Sequence, residues 1–136
     1  MLLLTFTLNQ TKFGIPLEEV EYIVSDVCNV ESSMVAKHIR GTAILRDEVV
    51  PIYNLISRFE FEEQTIGRMI VVVGSEGKKL GLEVGMIAGM KYMEEFIYAD
   101  IPPIIQKDKL CIKHAVSYEN EIILVLDIAK LLCDAE

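Results

Sequence analysis

The chain repeats itself, and that repeat constrains its fold more than any single motif does. Residues 2–20, LLLTFTLNQTKFGIPLEEV, align with residues 69–87, MIVVVGSEGKKLGLEVGMI, at a constant separation of 67 residues, so that Gly14 falls on Gly81 and Val20 on Ile87. A second pair, residues 39–59 and 112–132, aligns at a separation of 73, with Glu48 on Glu121 and Asn54 on Asp127. The step from 67 to 73 puts six additional residues in the middle connection of the second half. Similar turns, a shared Lys-Φ-Gly step and a common order point to a duplicated unit.

Each half reads as mostly β. Runs rich in Val, Ile, Phe and Thr are bounded by Gly, Asn and Ser clusters, the pattern of strands joined by tight turns. A turn of helix is expected in LEEVEYI (17–23). Each half then has a hairpin with a charged tip, at 39–59 in the first, and closes on a short amphipathic helix, YNLISRF or LDIAKLL. Asn54 and Asp127 stand where an N-cap side chain accepts the first free backbone N–H groups. The expected division is 1–66 and 67–136, near the polar stretch FEEQTIGR. An exchange of strands between the halves at their termini is left open. A half of about 65 residues buries only about 60% of its unfolded surface and is marginal alone. The halves should therefore share an apolar seam, and a groove between them is the natural place for a partner.

The totals exclude several classes. A net charge of −8, spread along the chain, lacks the basic footprint of nucleic-acid binding and disfavours adhesion to an anionic membrane. Cys28, Cys111 and Cys133 are odd in number and never in a C-x-x-C arrangement, so a disulfide framework or zinc site is not expected. The opening MLLLTFTL lacks a basic n-region and reads as a strand, and no apolar run has the roughly 18 residues of a membrane span. The expectation is a soluble, cytoplasmic protein.

No reaction is legible. The two histidines, His38 and His114, have no ligand-spaced neighbours, and Cys111 with His114 makes no convincing pair. Gly74, Gly77, Gly81, Gly85 and Gly89 miss both the dinucleotide and the Walker spacing and read as turn and bulge glycines. Met86, Met90 and Met93 have helical spacing, read first as core and second as an adaptable binding surface. FIYADIPPII (96–105) carries two prolines and cannot be a central strand; it reads as a crossover closing the second barrel. No catalytic residue, metal or cofactor is expected.

The order FTL…FGIPLEEVEYI…IRGTAILRDEVVPIYNL…IVVV…GLEV…LVLDIAKLL resembles the CheW domain, the coupling module of bacterial chemotaxis, over nearly the whole chain. Of that family's stretch Gly-x-x-Asn-Leu-Arg-Gly, followed by a hydrophobic pair, Pro and Asp-Leu, this sequence keeps Gly41, Leu45, Arg46, Pro51 and Leu55. Ile44, Asp47 and Asn54 replace the Asn, the second Gly and the Asp; Gly85 and Tyr22 stand where the family often has acidic residues. The resemblance implies an all-β fold with short helices, in two SH3-like five-stranded barrels. It implies no catalysis, and two partners: the cytoplasmic helical hairpin of a chemoreceptor and the regulatory domain of a CheA-like histidine autokinase. The implied receptor groove falls on Val20, Ile23, Arg46, Val84 and Ile87, with Gly41 shaping the hairpin. Recruitment to membrane-associated receptor arrays follows. The alternatives are a diverged paralogue serving another signalling array, or a small acidic β-barrel that binds a ligand. Arg46 has Glu119 at its repeat position, so the fold needs the hairpin but not the arginine.

Overall fold

The computed structural model describes residues 2–8, 10–25, 31–32, 38–59, 69–84, 86–92, 97–98 and 111–134. Strands β1 (Leu2–Leu8) and β2 (Thr11–Pro16) form a hairpin, followed by a single 3-10 turn at Leu17–Glu19 and β3 (Val20–Val24). A two-residue β4 (Glu31–Ser32) precedes the hairpin β5 (Ile39–Leu45) and β6 (Glu48–Tyr53), which runs into helix α1 (Leu55–Arg58). The second half repeats the series: β7 (Met69–Ser75), β8 (Lys78–Val84), β9 (Met86–Tyr92), β10 (Ile97–Tyr98), β11 (Ile112–Tyr118), β12 (Glu121–Leu126) and α2 (Ile128–Asp134).

These strands build two sheets, ordered β10-β11-β12-β2-β1-β9 and β4-β5-β6-β8-β7-β3. Each holds five longer strands plus a two-residue strand at one edge, so the expected mainly β architecture of two similar five-stranded units is present. The sheets cut across the division at residue 66. The hairpin β1–β2 lies among strands of the second half, and β7–β8 among strands of the first. The exchange is reciprocal and keeps register. The parallel pair Ile52↔Gly81 in one sheet is matched by Val125↔Gly14 in the other, at the same 73- and 67-residue offsets. The bulge between Ile39 and Gly41 recurs between Ile112 and His114. The backbone bond from Asn54 N–H to His38 O (2.8 Å) recurs from Asp127 N–H to Cys111 O (2.9 Å). Asp127 also caps α2 by accepting the Lys130 backbone N–H at 3.2 Å.

The exchange explains why β1 and β7 are apolar almost without interruption. A strand covered on both faces has no solvent side to make polar. In β7, Val71 and Val73 join the large core that both sheets share, while Ile70 and Val72 join a smaller core with Ala43, Leu45, Val50 and Ile52. In β1, Leu4, Phe6 and Leu8 enter the shared core and Leu3 enters the matching small core with Val116, Ile123 and Val125. Gly81 and Gly14 sit at the parallel junctions. A Cβ at Gly81 would lie 2.8 Å from Ile52 Cδ1 and 2.9 Å from Ile70 Cγ2, both on fully packed side chains. Gly81→Ala is therefore expected to lose about 1–3 kcal/mol in urea denaturation, the range of overpacked cores. Gly14→Ala, with its nearest contacts at 3.1 and 3.2 Å, should lose less. An unchanged midpoint for Gly81→Ala would show slack at this junction.

Two local features take their final form from strand pairing. In LEEVEYI the helical turn ends at Glu19, because β-branched Val20, Ile23 and Val24 pair with β7 instead. Met86 and Met90 lie on strand β9, paired to β1, so their helical spacing is not used. Met93, Cys28 and, apart from Ile97–Tyr98, the FIYADIPPII segment lie outside the described residues.

Candidate functional site

The site starts from one irregularity in β3. Val20 pairs with Val73, Tyr22 with Val72 and Ile23 with Val71, so a bulge at Glu21 absorbs one residue. Directly opposed residues share a face. The bulge therefore puts Val20 and Ile23 on the side of the shared core and Tyr22 on the side of the small core that holds Val72. Val20 and Tyr22 pack accordingly, Val20 against the shared core and Tyr22 against the cluster of Ala43, Leu45 and Val50. Ile23 is exposed. Because β3 is the last strand of its sheet, both of its faces border one free edge among the described residues.

Arg46 reaches the Tyr22 side of that edge. It and Asp47 form the two-residue loop between β5 and β6, with φ of 48° and 63°, as the I′ turns of tight hairpins require. Glu119 and Asn120 repeat those angles, at 48° and 64°. The turn geometry thus belongs to the fold, and Asp47 adopts a left-handed backbone that a glycine would adopt freely. The Arg46 guanidinium carbon lies 4.3 Å from the centre of the Tyr22 ring. The Tyr22 hydroxyl donates to Glu48 Oε2 at 3.0 Å, with the Leu45 carbonyl oxygen at 3.3 Å. Lys79 Nζ, from β8, donates to Glu48 Oε1 at 2.8 Å. Among the described residues no ion pair joins Arg46 to Asp47.

The charges follow these contacts. The Lys79 hydrogen bond, then the Tyr22 hydroxyl, hold the Glu48 carboxyl below the ordinary carboxylate range. The same bond to Glu48 raises Lys79. Burial first, then the bond to Glu48, pushes the Tyr22 phenol up. A lowered carboxyl stabilises the fold above its ordinary range and loses that contribution as pH falls through the lowered value. The expected result is a Glu48 carboxyl titration, followed by NMR, centred below that of a free glutamate and returned toward it by Lys79→Met. A Glu48 midpoint unmoved by that substitution would remove Lys79 as the cause.

The residues singled out from sequence are distributed as follows. Val20 and Ile23 share one face, as described. Val84, opposite Met69 in β8, is fully buried in the shared core, so its side chain offers no surface to a partner. Ile87 is placed opposite Phe6 on β9, the edge strand of the other sheet and the repeat counterpart of β3. Gly41 is buried within β5 opposite Ile52, beside the bulge and away from the hairpin tip. Arg46 is exposed on the opposite side of β3 from Val20 and Ile23.

Three contributors escaped the sequence: Tyr22 as the platform of Arg46, and Glu48 with Lys79 beneath it. A signal for the last two existed. Lys12 and Glu121, their repeat counterparts, form the same ion pair at 2.5 Å. The exposed pair Ile44 (76%) and Val49 (70%), directly opposed across the hairpin, was also unforeseen as a surface feature. The counterpart positions are Ser117 and Ile122, and Gly89 stands in place of Tyr22.

The family model of the CheW-like domain matches residues 2–136. The chain is similar to the chemotaxis protein CheW of Treponema pallidum (strain Nichols), with 29% identity over 143 residues, covering 98% of this chain and 83% of that protein. Its fold is similar to the crystal structure of scaffolding protein TtCheW from Thermoanaerobacter tengcongensis, with a TM-score of 0.81 and 20% identity over 93% of this chain and 84% of that one.

Proposed function

The chain belongs to the CheW-like domain family, and on that premise we propose that it is a non-catalytic adaptor that couples the cytoplasmic tips of chemoreceptors to a CheA-like histidine autokinase. The observation that carries this reading is an asymmetry in a duplicated scaffold. Turn angles, registers and the Lys–Glu ion pair recur in both halves, whereas Tyr22, Ile44 and Arg46 have Gly89, Ser117 and Glu119 as counterparts. Residues that the fold does not repeat, and that are exposed or half-buried, serve something outside the fold.

The receptor site is the edge of β3 and its surroundings. Val20 and Ile23 offer apolar contact on one side, as in the docking of a helix into a groove. Arg46 stands on the other, where a guanidinium can bind a carboxylate or a backbone carbonyl and fix register. Val84 packs in the core behind this edge, Gly41 lies within the hairpin strand that leads to Arg46, and Ile87 occupies the counterpart strand. No described helix is long and apolar enough to cross a membrane; binding to these partners would bring the protein to a receptor array.

The test is co-sedimentation of the protein with receptor-containing membranes and kinase, scored by kinase stimulation. Recruitment by both partners with stimulated autophosphorylation is expected. Binding of neither ends the reading. Binding of a kinase regulatory domain without stimulation indicates a paralogue of another array, a reading to which Ile44 and Asp47 in the family motif lend support.

A further inference from the structure

We propose that Tyr22 is the positioning residue for Arg46, holding its guanidinium over the ring so that its N–H edge meets the partner in one orientation. The inference rests on the adaptor reading for its functional consequence, although the contact itself exists in the free chain.

The ring is held by contacts that do not involve the arginine. It packs against the small core of Ala43, Leu45, Val50 and Val72, and its hydroxyl is held by Glu48. Glu48 in turn is held by Lys79, so a continuous series of contacts runs from β8 to the hairpin tip. The Leu45 carbonyl, 3.3 Å from the same hydroxyl, belongs to the residue just before Arg46, which anchors the turn as well as the side chain. With the guanidinium carbon 4.3 Å from the ring centre, the ring occupies one side of the group, and its N–H donors project in the guanidinium plane. A planar fork held this way suits a carboxylate or two carbonyl oxygens, and less rotamer freedom is lost on binding. The second half keeps the Lys12–Glu121 pair but has Gly89 and Glu119 at the positions of Tyr22 and Arg46. The ion pair is thus a feature of the fold, and the tyrosine is what converts it into a platform.

The experiment compares the full chain with Tyr22→Phe and Tyr22→Leu, both of which leave an apolar side chain against the core. Urea midpoints check that each variant remains folded. In the free protein, NMR should find the Arg46 side-chain methylene protons shifted upfield by the ring. The shift should persist in part in Tyr22→Phe and vanish in Tyr22→Leu. Affinity for a receptor cytoplasmic-tip fragment should fall about two- to fivefold in Tyr22→Leu, the worth of an exposed cation–π contact. On an Arg46→Gln background the same substitution should change nothing further, which a merely structural role would not produce. Unshifted Arg46 protons in the wild type, shifts that survive Tyr22→Leu, or equal affinity of wild type and Tyr22→Leu would each overturn the proposal. If the wild type binds no receptor fragment, the adaptor reading fails and the ring-current comparison alone decides the positioning.

Discussion

Phe13→Ala should lower the free energy of unfolding by about 3–5 kcal/mol, the range for aromatic truncation in a closed core. Phe13 is fully buried in β2, opposite Phe6 and Leu124 in its two neighbouring strands. Its ring stacks on Phe6 with centroids 5.6 Å apart and meets Phe59, just past α1, at 5.3 Å. Phe6 and Phe13 belong to one sheet, whereas Phe59 follows the last strand of the hairpin in the other. Truncation therefore opens a cavity where the two sheets meet, and neither can close it without moving the other. Against a typical total of about 5–15 kcal/mol the loss is large enough to leave much of the variant unfolded at 37 °C. Phe13→Leu keeps most of the volume and should lose less. Equilibrium urea denaturation measures both. A loss below about 1 kcal/mol for Phe13→Ala would contradict the exchanged arrangement that puts this ring at the seam.

Arg46→Glu should weaken receptor binding by roughly 10–100-fold, the effect of removing a charged hydrogen bond, while leaving kinase binding in place. Stability should change by no more than about 0.5 kcal/mol, because the side chain is exposed and its ring contact contributes little to the fold. Reversal also sets a carboxylate beside Glu48 and Asp47, which repels an acidic partner. Glu119→Arg supplies the control. It makes the complementary change on the same turn geometry in the other half, and receptor affinity should not respond. Binding assays with a receptor-tip fragment and with the kinase regulatory domain separate the outcomes. Unchanged receptor affinity in Arg46→Glu would move the receptor site away from this hairpin.

Most of the fold was visible in the residues because a repeat leaves its offsets in the numbering. Strands, turns, bulges and even the register that Gly14 and Gly81 make with strands of the other half obey the separations of 67 and 73. Local chemistry explains that success: alternation, turn residues and glycine at close approaches are properties of short segments. Where local preference was weak, the sequence left an element's extent open. LEEVEYI has helix-forming glutamates, but pairing with β7 outweighs them after Glu19. The candidate site was only partly legible. Ile23 and Arg46 stand at the surface, yet Val84, equally apolar in the sequence, proves fully buried.

The repeat alone thus implied a mostly β chain in two similar units and a hairpin whose arginine the second unit does not share. It could not say which unit each β1–β2-type hairpin joins. Equivalent hairpins fit equivalent places, so local pairing energies are nearly degenerate and the shared core makes the choice. Nor could it bring Tyr22 to Arg46, 24 residues away in the chain. That contact depends on the bulge at Glu21, which turns Tyr22 to the face opposite Val20 and Ile23, and on β6 and β8 lying side by side, which brings Lys79 to Glu48. Segment chemistry sets the strands; only their packing against one another assembles a platform from residues that no short stretch contains.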